Sequence, residues 1–471
     1  MPPPLKILVI GAGVCGPAFA TMMRRADPSH QITIIERADK LRETGLQIDL
    51  RAQGIDIVRK MGVLENIRKL AVPEEGISFV DGRGKTYASF GKNDSGKGAQ
   101  ALTSEYEIMR GDLVDVFYRA SLGFEDEDEN GKEKEKENVR YEFGVTVTSL
   151  CSQTGHVTFS DGREERYDVI VGADGQSSRT RRMILSEREK EKEKKKGSGD
   201  DASFKSLGLF MAFYRLPRNV HVHENDDDDD ENDDSWTEWH IMPGNKAIFT
   251  RAADKRVPTK QVYMAVFSGS GPGSRPGPKT REDFANVFAD QRDKWQVAEL
   301  IDGLTCSDEK VDFYAAEIGQ VRCGSDSLAV GRVVLLGDAG YCPSPVSGMG
   351  TTLSLTGAYI LAGELSRRRA GDEDDDDDDG VTGALQAYAR VVKPFVDEGQ
   401  KLFPGVPGII YAETEWGVWV LTTVLWLVSK LRIVDVLVRI LPENKGGLRI
   451  PEYPELNLDT WTEKQNTTSV T

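Results

Sequence analysis

Near the start of the chain, Gly11-Ala12-Gly13-Val14-Cys15-Gly16 follows the apolar run Leu5–Ile10 with the spacing of a phosphate-binding turn. Gly11 permits a tight turn after a strand, Gly13 lets the backbone approach a pyrophosphate, and Gly16 lets the next helix pack close to the sheet. The amides that open that helix would face the phosphates, where the helix dipole favours negative charge. A second apolar run, Gln31–Ile35, ends at Glu36, where a carboxylate is expected to accept hydrogen bonds from an adenosine ribose. An acid there disfavours a phosphorylated ribose. The fingerprint signals a dinucleotide, and alone it does not separate NAD from FAD.

Two further turns bear on that choice. Gly172-Ala173-Asp174-Gly175 follows the strand-like run Tyr167–Val171, and Gly337-Asp338-Ala339 follows Val333–Leu336. Three such turns, in this order and each at the end of a strand, point to bound FAD.

The elements that must position these turns follow from the same patterning. Residues 1–120 read as β-α-β followed by helices over Ile55–Met61 and Leu113–Leu122. Strand patterns recur at Val139–Phe143, Val157–Phe159 and Tyr167–Val171. From about 203 to 320 the character changes. Leu209–Tyr214, Trp236–Ile241, Ala247–Arg251 and Val262–Phe267 read as an antiparallel sheet. A helix is expected over Arg281–Leu300. Then α/β character returns, with a strand over Leu328–Leu336 and a helix from Thr351 to about Arg369. The expected fold class is α/β: a Rossmann-like FAD-binding domain, an inserted antiparallel-sheet substrate domain and a C-terminal helix. The expected division is 1–180 with 325–400 for the FAD domain, 203–320 for the substrate domain, 401–450 for an amphipathic helical region and 451–471 for a tail.

A chain of 471 residues is long enough for two or three domains and a large core. Its formal net charge is −17, but residues 224–234 carry nine acids and residues 372–379 carry eight, so the remainder is close to neutral. These runs, with Glu125–Asn138 and Ser186–Asp201, read as solvated loop insertions. No basic stripe is visible, which disfavours nucleic-acid binding. Five scattered cysteines without a CxxC pair fit a reducing, cytoplasmic setting and no structural zinc. No signal peptide is read before Leu5.

With these motifs in place, the chain resembles FAD-dependent monooxygenases of the p-hydroxybenzoate-hydroxylase fold. Within them it is most similar to tetracycline-degrading flavin monooxygenases and related fungal secondary-metabolite hydroxylases. The resemblance spans about residues 5–400. It implies that Asp174 and Gly175, followed by Ser177, Ser178 and Arg179, touch both flavin and reduced nicotinamide cofactor. It implies that Asp338 meets the flavin ribityl chain and that Gly348 and Gly350, after Pro345, lie against the ring. Thr351 would begin a helix whose N-terminus stabilises reduced flavin. Gly45-Leu46-Gln47-Ile48-Asp49-Leu50 resembles a flavin-contacting strand, placing Asp49 at the flavin, and Arg42 matches a position associated with the nicotinamide cofactor. Glu107–Leu113 resembles a helix start whose arginine, here Arg110, contacts FAD. Two positions depart from the pattern: Tyr341 replaces a frequent histidine, and Gln47 replaces a frequent glycine.

The implied activity is that of a single-component monooxygenase. NADH or NADPH serves as transient reductant, and O2 reacts to form a C4a-hydroperoxyflavin that hydroxylates or epoxidises an aromatic or polycyclic lipophilic molecule. The cofactor supplies the difficult chemistry and the protein the orientation. No catalytic side chain is assigned; Tyr214 and Arg215 are pocket candidates, with a solvent-facing strand position as the alternative for each. A flavin-dependent halogenase, a flavoprotein oxidase and a flavin-binding scaffold with acidic interaction loops are the rival readings. The apolar run 416–428 and its amphipathic continuation to 441 leave two further readings open: a helix packed across the domains, or peripheral membrane contact through tryptophans 416, 419 and 426.

Overall fold

A computed structural model describes residues 3–458 except 43–44, 73, 92–105, 124–137, 195–202, 218–235, 252–258, 270–275, 306–312, 369–379, 404 and 434–447. The strand Lys6–Ile10 pairs in parallel with Val169–Gly172 on one side and with Gln31–Glu36 on the other. Val333–Leu335 extends the sheet beyond Val169–Gly172, and Val139–Phe143 extends it beyond Gln31–Glu36. Chain order therefore reverses direction at Lys6–Ile10, the kind of switch point where α/β sheets open a crevice outside their carboxyl ends. Apart from the edge strand Val139–Phe143, these strands are near-continuous runs of buried Ile, Val and Leu, as a sheet covered on both faces requires. Helices Cys15–Ala26 and Gly350–Arg367 pack together against it.

A second, seven-stranded sheet has the order Phe313–Arg322, Ser203–Pro217, Thr259–Phe267, Lys246–Arg251, Trp236–Met242, Gly76–Val80, Thr86–Gly91. All neighbours are antiparallel except Trp236–Met242 and Gly76–Val80, which run parallel. One face is sealed by Arg281–Phe288 and Val297–Thr305, which bury Phe284, Phe288, Leu300 and Leu304 against Tyr214, Ile248 and Met264. The other face looks towards the short antiparallel pair Gln47–Asp49 and Glu107–Met109.

Several expectations need correcting. The helix expected over Arg281–Leu300 is broken: Trp295 has φ +38°, and its amide donates to Gly82 O at 2.7 Å, so the backbone turns away before Val297. The strand expected over Leu328–Leu336 is two short strands divided at Gly331, where φ is +55°. The segment Ser186–Asp201 is not all loop, because the helix Arg179–Lys194 runs through its first half, where Glu, Lys and Arg are good helix formers. Both acidic runs, 224–234 and 372–379, lie outside the described residues, as do 125–137 of the segment Glu125–Asn138 and the end of the chain from 459. Tyr453, Leu456 and Leu458, from the segment expected as tail, are buried in the main core.

Candidate active site

The three glycine turns meet at the carboxyl ends of the parallel strands. Gly11 has φ +115°, and a β-carbon there would lie 2.5 Å from Ala173 O, so the first turn and the Asp174 turn are in backbone contact. Gly16 packs as closely on Gly11 O, at 2.3 Å. Gly337 has φ +64° and would drive a β-carbon to 2.3 Å from the Cys15 sulfur, so the third turn rests on the first helix. The buried Arg181 guanidinium ties the later turns together, donating to Ala339 O at 2.6 Å and to Gln176 O at 2.7 Å. Sequence reading missed Arg181, although it stands two residues beyond the noted Arg179.

Within this frame Gly13 faces space whose nearest neighbour is Arg110 Nη2, at 3.6 Å from where a β-carbon would stand. Arg110 opens the helix Arg110–Leu122 and lies alongside Gly45. Its charge also reaches Asp338, which is half-buried; burial pushes the Asp338 carboxyl above its ordinary range, and Arg110 and a hydrogen bond from Cys342 oppose that rise. Glu36 accepts from Ala12 N at 3.2 Å and from Ala38 N at 3.1 Å. Asp174 accepts from the Arg179 and Thr180 amides and from the Ser178 and Thr180 hydroxyls, so it caps the following helix from inside its own turn. Gly175, with φ +80°, and Gly350 face open space.

Asp49 is ion-paired with Arg51, whose backbone meets the Thr352 hydroxyl in both directions, and Gly348 lies against the Arg51 guanidinium. Asp49, Gly348, Gly350 and Thr351 therefore gather at one end of the crevice, and Gly11, Gly13, Gly16 and Glu36 at the other. Arg110 and Asp338 stand near the first turn. Arg42 is exposed.

The crevice suits an anionic dinucleotide. Neither Cys15–Ala26 nor Gly350–Arg367 has a side-chain cap or an acid in its first turn. Their leading amides are thus not taken up by their own side chains and can meet an anionic ligand in the crevice.

Across the crevice stands the open face of the seven-stranded sheet. Tyr214 does not face solvent: it is in the sealed core and donates to Leu300 O at 2.7 Å. Its neighbour Arg215 points the other way and donates to Gly45 O at 3.1 Å. Beside Arg215 lies a buried polar cluster that sequence reading did not find. Arg251 reaches Glu74 at 3.2 Å and Glu107 at 3.0 Å, while Gln47 donates to Glu74 at 2.7 Å and also to Glu107. The cluster ties the two small strands to the large sheet. Burial pushes the Glu74 carboxyl up to about 7, Arg251 opposes that shift, and Glu107 adds to it. The unusual glutamine at 47 was the one available signal.

No family model matches the chain. It is 36% identical over 465 residues to the FAD-dependent monooxygenase asL6 of Sarocladium schorii, covering 97% of this chain and 99% of that protein. The flavin-dependent monooxygenase eupH of a Phoma species is 32% identical over 439 residues, covering 89% and 91%. Among solved structures, the tetracycline destructase Tet(51) is similar with a TM-score of 0.65 and 26% identity, covering 96% of this chain and 100% of that one. HpxO of Klebsiella pneumoniae, solved with FAD and uric acid, has a TM-score of 0.60 at 16% identity over 92% and 96% of the chains, a likeness of fold.

Proposed function

Because the chain belongs to the FAD-dependent monooxygenases, we propose that its crevice holds FAD through the residues gathered there and that the open sheet face receives a lipophilic aromatic or polycyclic substrate. NAD(P)H is the reductant and O2 the co-substrate of such an enzyme. In this assignment Gly11, Gly13, Gly16 and Glu36 hold the adenosine and pyrophosphate end, with Arg110 against the phosphates. Asp338 holds the ribityl chain, Asp49, Gly348, Gly350 and Thr351 line the ring end, and Asp174 and Gly175, whose turn rests on the first glycine turn, touch the flavin and the reduced nicotinamide. Arg42 is assigned to the transient nicotinamide. When bound, FAD supplies hydride acceptance and oxygen activation.

The protein's own part is binding, orientation and exclusion of water. The uncapped start of Gly350–Arg367 favours negative charge beside it. The observation that carries the reading is the meeting of three turns and two uncapped helix starts at one switch point. The purified protein should show flavin absorbance, and NAD(P)H should bleach it. With an aromatic substrate the product should gain one oxygen atom. A chlorinated product formed only with chloride would replace this reading with the halogenase one.

Peripheral membrane contact is part of the proposal. The helix Glu415–Lys430 packs Leu421, Leu425 and Val428 on the sheet edge. Trp416 and Trp419 remain 72% and 62% exposed, and Trp426, Leu427 and Leu431 are exposed beside them. A surface helix apolar on its outer side suits a membrane interface. No helix among the described residues is long and apolar enough to cross a membrane, and residues 434–441 of the amphipathic run lie outside them.

A further inference from the structure

The open face of the seven-stranded sheet is organised in rows by strand register. Arg215 pairs with Gln261, and Gln261 with Arg251, giving a polar row beside the Gln47–Asp49 strand. One step along the strands, Phe213 pairs with Tyr263, Tyr263 with Phe249, Phe249 with Trp239, and Trp239 with Phe79. This second row is wholly aromatic. Its central rings are nearly parallel: Tyr263 and Phe249 are 4.4 Å apart at 12°, and Phe249 and Trp239 are 4.7 Å apart at 19°. Those spacings match the distance between strands, so the rings stand on the sheet as a stack of plates. Phe213 and Phe79 close the ends at steeper angles, 58° and 60°.

A stack of standing plates turns ring rims, not ring faces, away from the sheet. Rims carry partial positive charge and are satisfied by a π-face or an oxygen. From Phe213 to Trp239 the row crosses three strand intervals, roughly 14 Å. Each end also holds a polar hydrogen without an acceptor. The Trp239 Nε1–H and the Arg215 Nε–H are shielded from solvent and find no partner among the described residues. A buried donor left unmet is costly unless something supplies an acceptor. Phe249, Trp239 and Arg215 are half-buried, while Phe213, Tyr263 and Phe79 are buried, so the row is reached from its Phe249–Trp239 step.

We infer that this row is the specificity-determining floor of the substrate site. The substrate is a planar polycycle of roughly three fused rings lying flat on the rims, its outer oxygens accepting from Trp239 at one end and Arg215 at the other. This rests on the monooxygenase reading above and names the substrate class for that site.

Binding to the FAD-loaded enzyme, read from the flavin absorbance without NAD(P)H, tests it. The probes are phenol, naphthol and a dihydroxyanthraquinone. Affinity should rise with ring number. Trp239→Phe keeps a rim and removes the donor. It should weaken the tricyclic probe about tenfold, the loss of roughly one hydrogen bond, and leave phenol within about twofold. Phe249→Leu should remove most of the gain from naphthol to the tricycle. FAD content and Tm of both variants should match the parent. The inference is overturned if no probe binds the parent, if affinity ignores ring number, if both variants bind the tricycle as the parent does, or if they lose all three probes equally. Product mass with NAD(P)H separates the two claims. Oxygenation of the tricycle that ignores both substitutions removes the floor and leaves the monooxygenase reading. The expected binding pattern without any oxygenated product does the reverse.

Discussion

Cys15 and Cys151 are thiols with opposite surroundings. Cys15 is sealed between the first helix and Gly337, and burial pushes its thiol up to about 12; Cys151 is half-exposed, and hydrogen bonds from Thr154 lower its pKa. The thiolate is the reactive form. Alkylation of the folded protein near neutral pH, followed by peptide mass spectrometry, should therefore modify Cys151 well before Cys15. Gly337 is the other half of that contact: Gly337→Ala places a methyl group at the sulfur and requires a strained φ, so the purified variant should carry less than about a tenth of the parent's flavin or fail to fold. Glu74 gives a pH prediction. Its carboxyl is raised from 4.5 to about 7, chiefly by burial, so the folded state holds the proton more tightly than the unfolded one. Its stabilising contribution is complete below the unfolded value and is lost as pH rises towards the folded one. Relative to Glu74→Gln, the parent's Tm should fall by several degrees between about pH 5 and 8. The glycine turns were legible at this scale because backbone geometry dictates the residue type. The Glu74–Arg251–Glu107 cluster was not, since its members lie far apart in sequence and no spacing rule joins them.

Element identity was read best where apolar alternation was long, as at Val139–Phe143, which the structure reproduces residue for residue. It failed where a tertiary contact overrode a local pattern, as at Trp295, whose amide is held by Gly82 O. Which face of a strand points inward was also not legible. Tyr214 and Arg215 are adjacent, and only the cover of Val297–Thr305 on one side decides that tyrosine is core and arginine faces the crevice. The helix Glu415–Lys430 shows the same dependence, since its apolar residues are too many for one buried face and the sheet takes only part of them. Replacing Trp416, Trp419 and Trp426 together with alanine should lower co-sedimentation with anionic phospholipid vesicles by about tenfold or more. The flavin spectrum and Tm should barely change, because these rings lie outside the core. Equal sedimentation of parent and variant would reject the membrane assignment.

For the whole molecule, the acidic run 224–234 is expected to be dispensable to the machinery. Pro217 and Trp236 end strands at the same edge of the sheet, with Thr259–Phe267 and Lys246–Arg251 between them. The gap is about 14 Å. Deleting 224–234 leaves 218–223 and 235 as a connection that reaches roughly 23 Å when extended. The deletion should change NAD(P)H oxidation by less than about twofold, if these residues are only a connection. The large sheet, by contrast, is not a separable module. Gly76–Val80 and Trp236–Met242 are its parallel seam, joining two distant parts of the chain. During synthesis the early hairpin has no partner until the later strand emerges, and a fragment spanning 203–320 would leave Trp236–Met242 as a bare template for foreign strands. Such a fragment is expected to aggregate. Any chaperone that assists this chain must shield the hairpin until the later strand arrives.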